Sequence, residues 1–208
     1  MCLKKRLILG VLLILTCTLI PAQRSLAPIA SAPRQEYIIP LHAHSQLNPS
    51  WSNYLYGGVD PLATHGCGPA ALATAVSSLT TYELLPPEAA DWSAANGFFS
   101  ANLGSIHGLI PEGGKHYGLK VQLLPHLTPD AIRLALDSDK ILILLMGPGD
   151  FTATGHFIVL HGYLKDGLFK IFDPASSRRS DIGWPADTLL QQLSTTAYSG
   201  GPVWVLSE

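Results

Sequence analysis

The stretch His65-Gly66-Cys67-Gly68-Pro69-Ala70-Ala71-Leu72 decides how this chain is read. Two glycines allow a sharp turn, and an apolar, alanine-rich run then predicts a helix over 69–80. Pro69 suits the first helical turn, where no N–H is missed. The Cys67 sulfur is therefore expected at a helix N-terminus, where unpaired N–H groups and the positive end of the macrodipole favour thiolate over thiol. Gly66 and Gly68 carry no side chain, so a substrate could approach the sulfur from either side. A cysteine kept as a small buried hydrophobe would need none of these features.

Cysteine usage sharpens the point. Cys2 and Cys17 fall in a segment that reads as an export signal, with basic Lys4-Lys5-Arg6 followed by an apolar run over 7–20. That run is shorter than the roughly 20 residues of a membrane-spanning helix. Cleavage is expected after Ala22 or Ala27, and an uncleaved signal would leave a membrane anchor. The small residue that lipidation needs beside Cys17 is missing. These features predict a secreted or extracytoplasmic protein, with a signal over 1–27, a Pro/Ala/Ser-rich linker over 28–50 and one domain over 51–208. Cys67 would then be an unpaired thiol in a compartment that permits disulfides, which calls for a chemical reason.

Four of the thirteen Lys and Arg precede residue 28, which leaves nine against fifteen Asp and Glu, a net charge of −6. No basic run stands out, so nucleic acid is not an expected partner. Helices are predicted over 69–80, 86–96 and 104–116, with Gly97 and Gly118 as stops. Thr128-Pro129-Asp130 caps a further helix through Leu136. Strands are expected at 36–41, 120–124, 140–146, 157–164, 168–172 and 203–206. Helices first and antiparallel strands second make an α+β plan.

A cysteine nucleophile needs a base, and the base needs an orienting acceptor. His156 stands at the start of the apolar strand Phe157-Ile158-Val159-Leu160, after the glycine-bearing loop Gly147-Pro148-Gly149-Asp150. The next strand returns through Lys165-Asp166-Gly167 and ends at Asp173-Pro174. In an antiparallel pair the start of one strand lies beside the end of the next, so His156 and Asp173 can meet. Asp150 is the rival orienter. His65 and His107 are candidates to touch substrate, while His161 should face away from His156. His42 and His44 lack a third spaced ligand, and no metal or other cofactor is expected.

Gly66-Cys67-Gly68-Pro69-Ala70-Ala71-Leu72, Ser105-Ile106-His107-Gly108-Leu109-Ile110-Pro111, Leu145-Met146-Gly147-Pro148-Gly149, Gly155-His156-Phe157-Ile158-Val159-Leu160 and Phe172-Asp173-Pro174 together resemble the C-thirty-nine-like cysteine peptidases. These are papain-like relatives of the bacteriocin-processing, double-glycine leader peptidases. The resemblance covers about residues 50–205. It implies an α+β papain-like fold, N-terminal helices on a C-terminal antiparallel sheet, with Cys67 as nucleophile, His156 as base and Asp173 as orienting acid. The implied activity is peptide-bond hydrolysis through an acyl-enzyme, on a peptide or protein substrate. There is one departure: transporter-linked members carry an oxyanion-binding glutamine six residues before the cysteine, and here that position is Pro61. Asn53, Tyr56 and His65 are the replacements to consider. Two other readings stand beside this one, a noncatalytic peptide-binding module of the same fold and a cell-wall peptide hydrolase.

Overall fold

A computed structural model describes residues 35–208. The predicted signal over 1–27, with Cys2 and Cys17, lies outside the described residues. The chain opens with β1 (Tyr37–Ile38) and a small hairpin, β2 (Leu55–Tyr56) and β3 (Asp60–Pro61), which leads into a single helical turn, α1 (Leu62–His65). Then come α2 (Cys67–Leu79), α3 (Pro86–Ala95) and a second hairpin, β4 (Phe99–Ser100) and β5 (Gly104–Ser105). A π-helical turn over Leu109–Gly113 runs into α4 (Gly114–His116). The second half holds β6 (Lys120–Leu123), α5 (Pro129–Leu136), β7 (Ile141–Met146), β8 (His156–Tyr163) and β9 (Phe169–Phe172). It closes with α6 (Ser177–Asp181), β10 (Gly183–Trp184), α7 (Ala186–Gln191) and β11 (Val203–Ser207).

One antiparallel sheet organises these elements in the order β10-β9-β8-β7-β11-β6, with β1 also paired to β8. Every residue of β7 is buried. An apolar run without alternation is what a strand covered on both faces requires. Helix α2 is the other half of the core: Gly68 through Ser77 are all buried, because the helix lies between the sheet and α3. Its alanines let both neighbours approach closely. An all-round apolar helix of this kind belongs inside.

Two expectations are corrected. The helix over 104–116 is instead a strand, a π-helical turn and one α-turn, because Pro111 offers no N–H for a regular ladder and widens the turn around itself. The segment expected as linker over 28–50, with a strand at 36–41, holds that strand as β1 and packs on the domain from there on. Tyr37 and Ile38 pair with β8, Ile39 joins the core, and His44 and Gln46 are buried. Beyond β1, turns and single hydrogen bonds hold this segment, and those leave no hydrophobic period to read. The glycines beside Cys67 have a packing role as well. A Cβ on Gly68 would stand 2.3 Å from Ser105 Oγ, and one on Gly66 would stand 2.5 Å from the Leu62 carbonyl oxygen. Both are glycine so that α1 and β5 can close against the start of α2.

Candidate active site

Cys67 is the first residue of α2 and is half-buried. The first i→i−4 bond of that helix runs from the Ala70 N–H to the Gly66 carbonyl, 2.9 Å. The Cys67 and Gly68 N–H groups therefore lie in the turn for which a helix has no partners of its own. Across the cleft, His156 is the first residue of β8 and Asp173 follows directly after β9.

The β8–β9 register sets Val159 against Phe172 and Leu160 against Ile171. Continued one step, it sets Asp173 across from Ile158, on the face His156 shares two residues away. A bulge between Leu160 and Gly162 fixes this alignment by placing one extra residue on β8. The result is a 2.7 Å hydrogen bond between His156 Nε2 and Asp173 Oδ1. His156 also hydrogen-bonds the Cys67 side chain. With Nε2 committed to the carboxylate, the nitrogen that serves the sulfur is Nδ1.

The electrostatics follow from this chain of contacts. Burial pushes the Cys67 thiol up, but the hydrogen bond and charge of His156 and the backbone amides of Phe157 and Gly68 outweigh it, and the thiol sits below its ordinary value. Burial alone would lower His156, yet the Asp173 and Cys67 partners raise it to about 9. Burial likewise works against the Asp173 carboxylate, which its donors hold below the usual carboxylate range: His156, Arg179 and the Ala175 N–H. The three groups thus favour a thiolate–imidazolium pair backed by a carboxylate.

Beside the sulfur runs a cleft of about 310 Å³ whose lining includes His65, Cys67, Ser105, His107, Leu145 and Phe157. His107 is held by the Tyr198 N–H, 3.3 Å from its Nδ1, with the Tyr198 ring 4.2 Å away. His65 also faces the cleft, its Nδ1 2.9 Å from Thr64 Oγ1. Asp150 is turned elsewhere. It exchanges two 2.7 Å hydrogen bonds with the Gln192 side chain, which latches the 147–150 loop to the segment after α7. His161 supports β1, with Nδ1 2.8 Å from the Ile39 carbonyl.

Two residues escaped the sequence reading. Arg179 Nε lies 2.5 Å from Asp173 Oδ2. Its signal was the helix cap Ser176, whose Oγ accepts from the Arg179 N–H. Gln46 is 3% exposed and sits between the two halves of the site. Its backbone N–H donates to the Pro174 carbonyl at 3.0 Å, and its Nε2 donates to the Ala63 carbonyl at 2.8 Å. That carbonyl stands four residues before Cys67, where the Cys67 N–H would find it in an unbroken helix. The Gln46 carboxamide is thereby brought beside the N-terminal turn of α2, with one amide hydrogen unused and Oε1 buried without a partner. Of the earlier oxyanion candidates, Asn53 is exposed, and the Tyr56 hydroxyl is occupied by Ser93 and Ser105.

A family model described as the Peptidase_C39 like family matches residues 42–198. The chain belongs to that family. A crystal structure of a protein from Bacillus anthracis assigned to the C39-like peptidases shares the fold. The TM-score is 0.56 at 14% identity, covering 84% of this chain and 98% of the other. No curated protein matches the sequence. The C39-like fold agrees with the α+β, papain-like architecture the sequence implied. The family match also starts at residue 42, inside the segment first taken as linker, and so takes in Gln46.

Proposed function

We propose that this C39-like protein is a thiol peptidase working through Cys67, His156 and Asp173. The observation that carries the reading is the continuous line from the sulfur at the start of α2, through the His156 ring, to the buried Asp173 carboxylate at 2.7 Å. The Cys67 thiolate attacks a peptide carbonyl carbon, and the carbonyl oxygen becomes an oxyanion. His156, already an imidazolium, gives its Nδ1 proton to the departing amine as the C–N bond breaks. A thioester remains on Cys67. Water then attacks it, His156 takes the water's proton, and the acid product leaves with the thiolate restored. Asp173 keeps the ring in one orientation throughout and steadies its positive charge.

Gln46 answers the departure at Pro61. Its free amide hydrogen and the Cys67 N–H are the two donors suited to the oxyanion. The noncatalytic reading rested on the absence of such a glutamine six residues before the cysteine. A buried glutamine that donates to the Ala63 carbonyl, four residues before Cys67, offers a substitute and weakens that support. Among the described residues, the cleft lining includes no Asp, Glu, Lys or Arg, which fits uncharged substrate residues. We further propose an exported protein acting outside the cytoplasm, on peptide or protein substrates.

The test is incubation of the purified domain with a diverse peptide mixture, read by mass spectrometry. New termini should appear with the native chain and be absent with Cys67→Ala. Cleavage that persists in the variant, or binding of peptides without any cleavage, would refute the proposal.

A further inference from the structure

Asp173 shares its carboxylate between two partners. The side chain has no solvent exposure, and its two oxygens face different cations. Oδ1 accepts from His156 Nε2 at 2.7 Å and from the Ala175 N–H at 2.8 Å. Oδ2 accepts from Arg179 Nε at 2.5 Å. A buried anion needs a counter-charge, and here a permanent one is present whether or not His156 is protonated.

The turn that presents Arg179 closes around this one carboxylate. Ser176 Oγ caps the Arg179 N–H at 3.2 Å, and the Arg179 carbonyl accepts from Trp184 Nε1 at 2.9 Å. Ser180 Oγ accepts from the Asp173 N–H at 2.8 Å, and Lys170 Nζ holds the Ser180 carbonyl from behind at 2.6 Å. The backbone on both sides of the Arg179–Asp173 contact is fixed. Arg178 and Asp181, on the same turn, are exposed to solvent.

We propose that Arg179 is a positioning residue for the triad: it neutralises the Asp173 carboxylate and reserves Oδ1 for His156, so that the imidazole faces an acceptor of reduced charge. This assignment rests on the peptidase reading above. The reasoning is that His156 must give its proton to a leaving amine. A bare buried anion on Nε2 would stabilise the imidazolium so strongly that its Nδ1 proton is harder to give, whereas a carboxylate paired with a guanidinium aligns the ring and leaves the Nδ1 proton easier to release. The groups that face His156 from the elements around it are Cys67 on α2, Asp173 after β9 and, through that carboxylate, Arg179 on α6. Asp150 is held by Gln192.

Substitutions separate this role from plain structural support. Arg179→Gln removes a positive charge near the pair, so every pKa in range rises. Both limbs of the pH profile for Cys67 alkylation by iodoacetamide should move up, the His156 limb by about one unit. Arg179→Lys keeps the charge and should leave the limbs near their native positions. Asp173→Asn alone should be badly impaired, because one amide oxygen cannot serve the Arg179 guanidinium on one side and the His156 and Ala175 donors on the other, and the amide N–H group meets a donor whichever way it faces. Removing the guanidinium as well frees the oxygen for His156, so Asp173→Asn/Arg179→Gln should recover at least tenfold of the turnover lost by Asp173→Asn.

A double variant no better than Asp173→Asn overturns the assignment. So does an alkylation profile that Arg179→Gln leaves in place while the melting temperature shows the variant folded. Alkylation needs no substrate. Limbs that shift as described while no peptide is ever cleaved would support the role of Arg179 and sink the peptidase reading alone.

Discussion

The raised His156 is the most quantitative consequence of the site. Its ordinary value of 6.5 is moved to about 9, a difference worth roughly 3 kcal/mol of preferential stabilisation of the imidazolium. Two partners supply it against the opposing effect of burial, Asp173 on Nε2 and Cys67 on the other side of the ring. At pH 7.5 an imidazole titrating near 9 is almost fully protonated, whereas one at the ordinary value is about a tenth protonated. Cys67→Ala deletes one of the partners and leaves the Asp173 contact intact. The His156 midpoint should then fall by at least one unit, and the thiolate that stabilised it is gone. The assay is an NMR titration of the His156 ring carbon-bound protons between pH 5 and 10.5, in the native chain and in Cys67→Ala. A native midpoint near 6.5 would refute the ion-pair description. So would a midpoint near 9 that Cys67→Ala leaves unchanged, since the raising would then owe nothing to the sulfur.

Other substitutions probe the neighbouring contacts. Gln46→Ala should lower kcat by about 10²–10³ if its amide stabilises the oxyanion, while leaving the iodoacetamide reactivity of Cys67 near native; a few-fold loss would exclude it as the donor. Gly68→Ala places a methyl 2.3 Å from Ser105 Oγ, an overpacking clash that should cost about 1–3 kcal/mol. Calorimetry should show the melting temperature falling, and Ser105→Gly should restore part of it. His161→Ala removes the 2.8 Å contact to the Ile39 carbonyl and should cost about 1–2 kcal/mol of stability with turnover retained. Loss of turnover in a folded His161→Ala chain would mean that β1 matters to the chemistry.

How far the site could be read in advance depended on whether its signals were local. Cys67 announced itself through the Gly-Cys-Gly-Pro turn into an alanine-rich helix, and His156 and Asp173 through the two strands of one hairpin. Gln46 had no such signal. It reaches the site through single hydrogen bonds to Pro174 and Ala63, in a stretch whose backbone makes turns and one short pairing rather than a periodic element. Arg179 sits on a five-residue helix too short for a hydrophobic period, and only the Ser176 cap could have exposed it. The break at Pro111 shows the same limit from the other side. The apolar spacing over 104–116 is helical, but a single missing N–H and the hairpin before it replace the expected helix with a strand and a widened turn.

The central claim is that Cys67 becomes acylated by a peptide and is then freed by water. Rapid acid quench of the domain during cleavage of a peptide identified from the mixture, followed by mass mapping, measures this directly. An adduct of the acyl fragment's mass should form on Cys67 within the first turnover and disappear as substrate is exhausted. Peptide product accumulating with Cys67 unmodified at every time point, under conditions where deacylation has been slowed, would contradict it.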